Sequence, residues 1–316
     1  MPTVESVNGL IDLEELGLTL IHEHFRATDE AARFQFPHLY DEEAEWDAAL
    51  SDANAVKGHG VRTVVEPSAM FLHRDAAFSK RVADESGLQV ILATGVYTYD
   101  HLPQVLMNRS EDEIAEIFVH DIENGIQGTD IKAAFIKCAA DEPGVTPNVE
   151  KIHRAAARAS QQTGRPILAH SHPKSETGLA QMRVFEDEGT DPAKVHIAHT
   201  GDTDDLDYIE RLLATGCWIG MDRYGLDIYL PTEQRQATVL ALLEKGHSDR
   251  MFLSQDWCST LDYFTAAVEE QLVPTAAPNW SMTFLFEQVI PELKERGMTD
   301  EQLDQMMVEN PKRWRA

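Results

Sequence analysis

Short apolar runs rich in β-branched residues recur along the chain and alternate with segments of helical spacing. The runs are residues 18–21, 63–66, 90–94, 133–137, 166–170, 195–199, 217–222 and 251–256. The helical segments are residues 43–57, 75–86, 110–124, 149–163, 178–188, 205–214 and 232–244, and residues 281–296 and 299–309 predict two closing helices. Because the runs are continuously apolar, they predict strands buried on both faces. The alternation predicts an α/β fold, a (β/α)8 TIM barrel, with residues 1–316 as a single domain. A doubly wound open sheet is the rival, but no G-x-G-x-x-G motif follows any run.

The charge of the chain restricts its partners. Its 316 residues include 27 Lys and Arg against 54 Asp and Glu, a net charge of −27. Such an acidic chain repels phosphate backbones and anionic lipid, so we expect neither nucleic-acid nor membrane binding. Cys138, Cys217 and Cys258 cannot form a disulfide framework, and the N-terminal residues contain no secretory signal. A cytoplasmic location is therefore expected.

Polar side chains occupy the ends of the predicted strands, where barrel enzymes carry their catalytic groups. His22 and His24 are two residues apart and therefore face the same side of a strand. His170, His199 and Asp256 end three further runs. Each residue alone could be a structural histidine or a helix cap, but together they predict a metal site. His172 and His196 are rival candidates, and we expect His172 to be solvated and His196 to pack against the helical layer.

Lys137 ends an apolar strand, where an unpaired cation is costly. A structural ion pair and a phosphate-binding lysine are two interpretations. Beside two metal ions there is a third, since a neutral amine can add CO2 and the resulting carbamate can bridge two cations. Four histidines, an aspartate and a carbamate are an adequate ligand set for a binuclear site with a shared hydroxide.

The residues around these positions resemble the phosphotriesterase family of the amidohydrolase superfamily, and within it the phosphotriesterase-like lactonases. The similar segments are TLIHEH, PHLYDEE, NRSEDEIAEIFVHDIENGIQGT, AFIKCAADEPGVTP, HIAHTGDTDDLDYI, MDRYGLDIYLP and SQDWCSTLD. The resemblance implies that His22, His24 and Asp256 hold a buried metal and that His170 and His199 hold a more exposed one. Carboxylated Lys137 and a hydroxide would bridge the metals, which could be Zn, Fe, Co or Mn. Asp256 would also carry the proton to the leaving group.

Tyr97 and Arg223 match positions that mark the lactonase branch of this family. By resemblance, Tyr97 orients the lactone and Arg223 links Asp256 to Asp202. Aromatic packing of Tyr97 and a rim ion pair between Arg223 and Asp222 are the structural alternatives. The sequence departs from the lactonase pattern at Gln255, which we expect to point away from Asp256, and at residues 71–74, where relatives are glycine-rich.

The resemblance implies a metal-dependent lactonase that hydrolyses N-acyl homoserine lactones and other γ- and δ-lactones by attack of the bridging hydroxide. Weak phosphotriesterase activity is expected beside it. Leu226, Tyr229, Trp257 and Cys258, with the long loop to Trp280, are the candidate walls of an apolar substrate channel. Packing of this loop on the barrel or in a dimer interface is the alternative, and packing is favoured for Trp280. A dedicated organophosphate phosphotriesterase, a cyclic amidase and a non-catalytic metal-binding protein are the alternatives. The resemblance also favours a homodimer.

Overall fold

Eight parallel strands follow one another around a barrel in chain order. The computed structural model describes residues 2–315. The barrel strands are β3 (Thr19–Leu20), β4 (Thr63–Glu66), β5 (Gln89–Gly95), β6 (Phe135–Ala139), β7 (Ile167–His170), β8 (Val195–Ala198), β9 (Trp218–Met221) and β10 (Met251–Leu253). An antiparallel hairpin of β1 (Thr3–Ser6) and β2 (Gly9–Asp12), absent from the sequence prediction, precedes them. The fold is the predicted (β/α)8 TIM barrel.

The barrel closes through residues just beyond its first and last strands. The backbone N–H of Asp256 donates to the carbonyl of His22 at 3.1 Å, and that of His24 donates to the carbonyl of Trp257 at 2.7 Å. The N–H of Ser259 then reaches the carbonyl of His24 at 2.9 Å. We call this junction the seam. Because it lies at the carboxyl ends of the strands, it forms part of the floor of the candidate site.

Helices surround the barrel in the predicted positions. They are α1 (Glu30–Gln35), α2 (Glu42–Gly58), α3 (Ala76–Ser86), α4 (Gln104–Met107), α5 (Glu111–Glu123), α6 (Pro147–Thr163), α7 (Thr177–Asp187), α8 (Leu206–Ala214), α9 (Thr232–Glu244), α10 (Ala266–Ala276), α11 (Ile290–Glu295), α12 (Asp300–Asp304) and α13 (Asn310–Arg315). The seven helices between predicted strands are confirmed within two residues at either end. The two predicted closing helices are observed at residues 285–295 and 300–309, each with a π-helical turn. α1, α4, α10 and α13 were not predicted. Within residues 2–315, no helix combines the length and the apolar character that a transmembrane span requires.

The barrel strands lie between two apolar layers. One lies between strands and helices, and the other fills the barrel with residues such as Ile91, Leu168 and Phe252. His196 belongs to the inner layer, with its ring centroid 4.7 Å from that of Phe252 and 5.5 Å from that of Trp314. The prediction that His196 packs against the helical layer is therefore wrong. The prediction relied on the early position of His196 in its strand. The left-handed backbone of His199, with φ 64°, lets both histidines point inward although they are three residues apart.

Candidate metal centre

The predicted ligands converge at the carboxyl ends of the strands. Asp256 Oδ1 lies 3.3 Å from Nε2 of both His22 and His24. Ligand atoms of His22, His199 and Asp256 all lie within 4.8 Å of one another. The ring of His170 stands against that of His199, with centroids 4.5 Å apart. These side chains, with that of Lys137, are called the ligand cluster below. His172 lies outside the cluster, half-buried, with its Nδ1 2.9 Å from Ser175 Oγ.

Two members of the ligand cluster reach it through unusual backbone. His199 has φ 64° and Asp256 has φ 52°, both in the left-handed region. Residues other than glycine adopt this conformation at a cost of about 1–3 kcal/mol, and only where the surrounding structure enforces it. His199 directly follows β8 and Asp256 comes three residues after the end of β10, and in both the change of direction turns the side chain inward.

Each histidine of the cluster has one ring nitrogen engaged by a partner. Nδ1 of His22 and Nδ1 of His199 lie 3.2 and 3.0 Å from the two carboxylate oxygens of Asp222. Nδ1 of His24 lies 2.9 Å from Ser68 Oγ, and Nε2 of His170 lies 2.6 Å from Asp141 Oδ2. The second nitrogen is left to face the cluster, and Nε2 of His199 is buried there without a hydrogen-bond partner in the described chain. Metal-ligating histidines have this arrangement, so the residues fit a metal centre.

Asp222 is the buried carboxylate that supports the cluster from below. Burial alone would raise the pKa of Asp222, but the charges and hydrogen bonds of His199 and His22 hold that pKa well below its usual range. Gly220 makes room for it, because a Cβ at position 220 would meet Asp222 Oδ2 at 2.2 Å. One carboxylate thus fixes the ring orientation of His22 and His199 together.

Lys137 is fully buried, with Nζ 3.3 Å from His22 Nε2. Burial lowers the pKa of Lys137 to about 8, although the charges of Asp256 and Asp222 oppose this change. In the described chain, no carboxylate oxygen lies within salt-bridge distance of its Nζ, so the structural ion pair is not formed. The lowered pKa makes the neutral amine, which CO2 requires, more accessible.

Arg223 contacts Asp256 rather than Asp222. Its Nε donates to Asp256 Oδ2 at 2.8 Å, and its Nη1 donates to Asp202 Oδ2 at 2.9 Å. The other oxygen of Asp202 accepts from Nη1 of the fully buried Arg235 at 2.8 Å. The predicted link between Asp256 and Asp202 therefore exists as a contact, and the rim ion pair does not. Arg235 extends this chain of alternating charges and was not among the predicted residues.

Two phenols stand beside His170. The hydroxyl of Tyr97 lies 3.5 Å from His170 Nδ1, the nitrogen that Asp141 leaves open. The hydroxyls of Tyr97 and Tyr99 share a hydrogen bond, and the ring of Tyr99 lies 5.5 Å from that of His170. Sequence reasoning missed Tyr99, although its position two residues after Tyr97 was a signal that both face one side.

A cavity of about 410 Å³ opens above the ligand cluster. Its walls include the predicted Leu226, Tyr229, Trp257 and Cys258, and Trp280 lines it as well as packing on Trp257. The predicted loop to Trp280 contributes Ser259, Leu261, Tyr263, Phe264, Glu269, Leu272, Val273, Ala276 and Ala277 to the lining. The lining residues that sequence reasoning missed are Ala27, Leu72 and Ile228. The cavity is therefore mainly apolar above a polar floor.

Specific hydrogen bonds hold the residues at both departures from the lactonase pattern. Gln255 points away from Asp256, since its Nε2 donates to the carbonyl of Met282 at 2.6 Å. Phe71 and His73 adopt left-handed backbone with φ 75° and 50°. Glu30 of α1 holds this loop by accepting the backbone N–H groups of Phe71 at 2.7 Å and of His73 at 3.2 Å.

Comparison with known proteins places this site in a family. The model of the phosphotriesterase family matches residues 2–315. The chain belongs to the phosphotriesterase family. It is 46% identical over 304 residues to an aryldialkylphosphatase of Saccharolobus solfataricus, covering 96% of each chain. It is 41% identical to a phosphotriesterase homology protein of Mycobacterium tuberculosis, covering 99% of this chain and 97% of that one.

A solved structure agrees with this assignment. The phosphotriesterase from Mycobacterium tuberculosis superposes with a TM-score of 0.93 at 41% identity, covering 99% of this chain and 98% of that chain. The phosphotriesterase family gives the chain its general class, a hydrolase on a TIM barrel. The family is generally dependent on a binuclear metal centre, and the ligand cluster has the donors for one.

Proposed function

We propose that the chain is a metal-dependent lactonase of this family. Its substrates would be N-acyl homoserine lactones and other γ- and δ-lactones, with weak phosphotriesterase activity beside them. The observation that carries the proposal is the Tyr97 hydroxyl, 3.5 Å from His170 Nδ1 at the floor of an apolar cavity. A planar ester needs its ring held so that the nucleophile meets one face, and a phenol at this place can hold it.

The ligand cluster divides between two proposed metals. His22, His24 and Asp256 would hold the more buried ion, and His170 and His199 the more exposed ion, with carboxylated Lys137 between them. Zn, Fe, Co and Mn all suit these donors. When bound, such a pair of cations polarises an ester carbonyl and makes water nucleophilic near neutral pH.

The residues around the reacting bond have separate proposed roles. Asp256 carries a proton to the departing ring oxygen as general acid and base. Arg223 fixes the direction of that carboxylate through its 2.8 Å hydrogen bond to Oδ2. Burial alone would raise the pKa of Asp256, but the charges of His22, His199 and Arg223 keep it well below its usual range. Asp256 is therefore ionised and able to accept a proton at the pH of the reaction.

The cavity walls support an acyl substituent. Leu226, Tyr229, Trp257 and Cys258 line the path that leads from the ligand cluster to solvent. An acyl chain leaves water when it enters this path, which favours binding by about 0.8 kcal/mol for each buried methylene. The lactone ring would rest on the polar floor and the chain along these walls.

A dedicated phosphotriesterase is the second candidate. The 46% identical relative of Saccharolobus solfataricus bears the name aryldialkylphosphatase. A phosphotriester can place its P=O where a lactone places its carbonyl, and its tetrahedral centre resembles the intermediate of ester hydrolysis.

The ratio of kcat/KM on two substrates separates the candidates. The metal-loaded protein is assayed with an N-acyl homoserine lactone and with a paraoxon-type ester, and Asp256→Asn serves as the control that assigns turnover to this site. We expect the lactone to have the larger kcat/KM. A larger value for the phosphotriester would instead establish the second candidate.

We also propose a homodimer and a cytoplasmic location. Phe34, Phe36 and Leu39 near α1 are 83%, 53% and 67% exposed, as side chains of an interface are in the separated protomer. All three cysteines are free thiols, which suits a reducing compartment. Sedimentation velocity tests the dimer, and a monomer at every concentration would contradict it.

A further inference from the structure

Glu23 lies between the ligands His22 and His24, but its side chain serves the seam. It is fully buried. Its Oε1 accepts from Ser254 Oγ at 2.7 Å and from the backbone N–H of Gln255 at 3.0 Å. Its Oε2 accepts from the backbone N–H of Trp257 at 2.7 Å. Both oxygens of one carboxylate are thus used on the segment that follows β10.

The three donors to Glu23 flank Asp256 on both sides. Asp256 itself has φ 52°, a conformation that a residue with a side chain keeps only when its surroundings enforce it. Its own N–H donates to the carbonyl of His22 at 3.1 Å. The N–H groups before and after it, which would otherwise be buried without partners, are the two that Glu23 accepts.

The seam needs these side-chain hydrogen bonds because the strands on its two sides are short. β3 has two residues and β10 has three, and the two meet through backbone bonds beyond their ends. The opposite side of the turn is anchored separately, since Gln255 Oε1 accepts from the N–H of Leu285 at 2.8 Å. Residues 254–257 are therefore fixed from the barrel side by Glu23 and from the outer side by Gln255.

We infer that Glu23 is a positioning residue that holds Asp256 between His22 and His24. This inference rests on the proposed function, in which Asp256 is both ligand and proton carrier. A carboxylate suits the position because every group it meets is a donor. The amide of Glu23→Gln could accept from Ser254 and Gln255, but its NH2 would then face the N–H of Trp257. That mismatch would release the turn that carries Asp256.

The experiment compares Glu23→Gln with Glu45→Gln in the full-length, Co²⁺-loaded protein. Glu45 is a similarly buried glutamate on α2, where it pairs with Arg26 and Arg33 away from the cluster. The measurements are Co²⁺ per chain, the d–d absorption spectrum, kcat and KM, and the thermal midpoint. For Glu23→Gln we expect an altered Co²⁺ spectrum and a kcat lowered by up to about 100-fold, with a smaller change in KM. Glu45→Gln should keep the wild-type spectrum and kcat whatever its thermal midpoint.

Two results of the comparison between Glu23→Gln and Glu45→Gln would overturn the inference. One is a wild-type spectrum and wild-type kcat per metal-loaded site in Glu23→Gln, and the other is the same change in both variants. Ser254→Ala is the second variant, because it leaves the backbone bonds of Glu23 in place. It removes the Ser254 hydroxyl, which donates to Glu23 and accepts the backbone N–H of His22 at 3.1 Å. It should show a smaller change of the same kind, and should Glu23→Gln not fold, an unchanged Ser254→Ala spectrum overturns the inference. Since the spectrum requires no substrate, a protein that hydrolyses neither ester would refute the proposed function while the spectra still decide on Glu23.

Discussion

The ligand cluster and the mouth of the cavity are built in different ways. In the cluster, His22, Lys137 and His199 are buried, and each histidine ring is oriented by a hydrogen-bonded partner. At the mouth, Ile228 is 58% exposed and Tyr263 is 53% exposed. Rigid support preorganises chemistry, whereas exposed apolar side chains can be exchanged at little cost to the fold. Changes in the cluster should therefore lower metal content and kcat, and changes at the mouth should alter substrate preference.

The largest effect is expected for Lys137→Ala, which removes the proposed bridge between two metals. Loss of a residue that hydrogen-bonds a metal ligand lowers metal affinity or activity by roughly 10- to 100-fold. Because Lys137 is itself a proposed ligand, the loss in Lys137→Ala should be larger. Acetate or propionate should restore part of both, because a free carboxylate can take the place of the carbamate. Metal analysis and kcat with and without the acid are the measurements. Lys80, a half-buried lysine of α3 that pairs with Asp84, provides Lys80→Ala as control. A bare amine in a metal-loaded wild-type crystal would refute the bridge.

Asp256→Asn should lower kcat by at least about 100-fold, since it removes the proposed general acid and base. Metal content must be measured alongside, because Asp256 Oδ1 lies 3.3 Å from Nε2 of both His22 and His24 and is a proposed metal ligand. Asp202→Asn is the comparison variant, because Asp202 reaches Asp256 only through Arg223. It should lower kcat less than Asp256→Asn does. Wild-type rates in Asp256→Asn at full metal occupancy would contradict the role.

Tyr97→Phe should cost about 1–3 kcal/mol in kcat/KM on lactones, or roughly 5- to 150-fold, if a buried hydrogen bond is lost. The loss on phosphotriesters should be smaller, because a tetrahedral phosphorus needs less orientation. Tyr99→Phe should act through Tyr97, so a double-mutant cycle should show coupling between the two hydroxyls. Equal losses on both substrates would mean that Tyr97 only shapes the pocket.

The smallest effect is expected at the mouth, for Ile228→Ala. Truncation removes part of a half-exposed apolar wall. A long-chain lactone should lose about 1 kcal/mol of binding free energy, so its KM should rise ~5-fold. Short-chain lactones, kcat and metal content should not change. Ile117→Ala, at a 40% exposed isoleucine on α5, is the matched control. A large loss of kcat in Ile228→Ala would contradict the division between cluster and mouth.

The same division explains what the sequence could predict. Strand ends and i, i+2 alternation were sufficient to bring His22, His24, Lys137 and His170 together, because those residues follow regular strand geometry. His199 and Asp256 point inward through left-handed backbone, which no alternation predicts. Their positions at the ends of predicted strands placed them among the candidate ligands, and the resemblance assigned their roles. The inward direction of His196, three residues before His199, was not predicted.

The mouth was less predictable for a different reason. Tyr263 and Phe264 lie in the loop after β10, and Leu272 and Val273 lie on α10, which contains Pro274 inside the helix. Proline in a helix interior is unfavourable, so no helix was expected there. Loop residues also reach a cavity only through packing between distant segments, which local patterns do not encode.

The buried chain behind Asp256 also determines where a proton can go. Burial would lower the pKa of Arg223, but Asp202 and Asp256 hold it well above its ordinary value. Arginine side chains keep their proton in proteins, so Asp202 stands between two permanent cations, Arg223 and Arg235. This series of ion pairs therefore holds its charges in place and cannot carry a proton away from Asp256. In the proposed reaction, the proton released by each turnover must therefore leave with product and water through the mouth of the cavity. Substrate enters by the same opening.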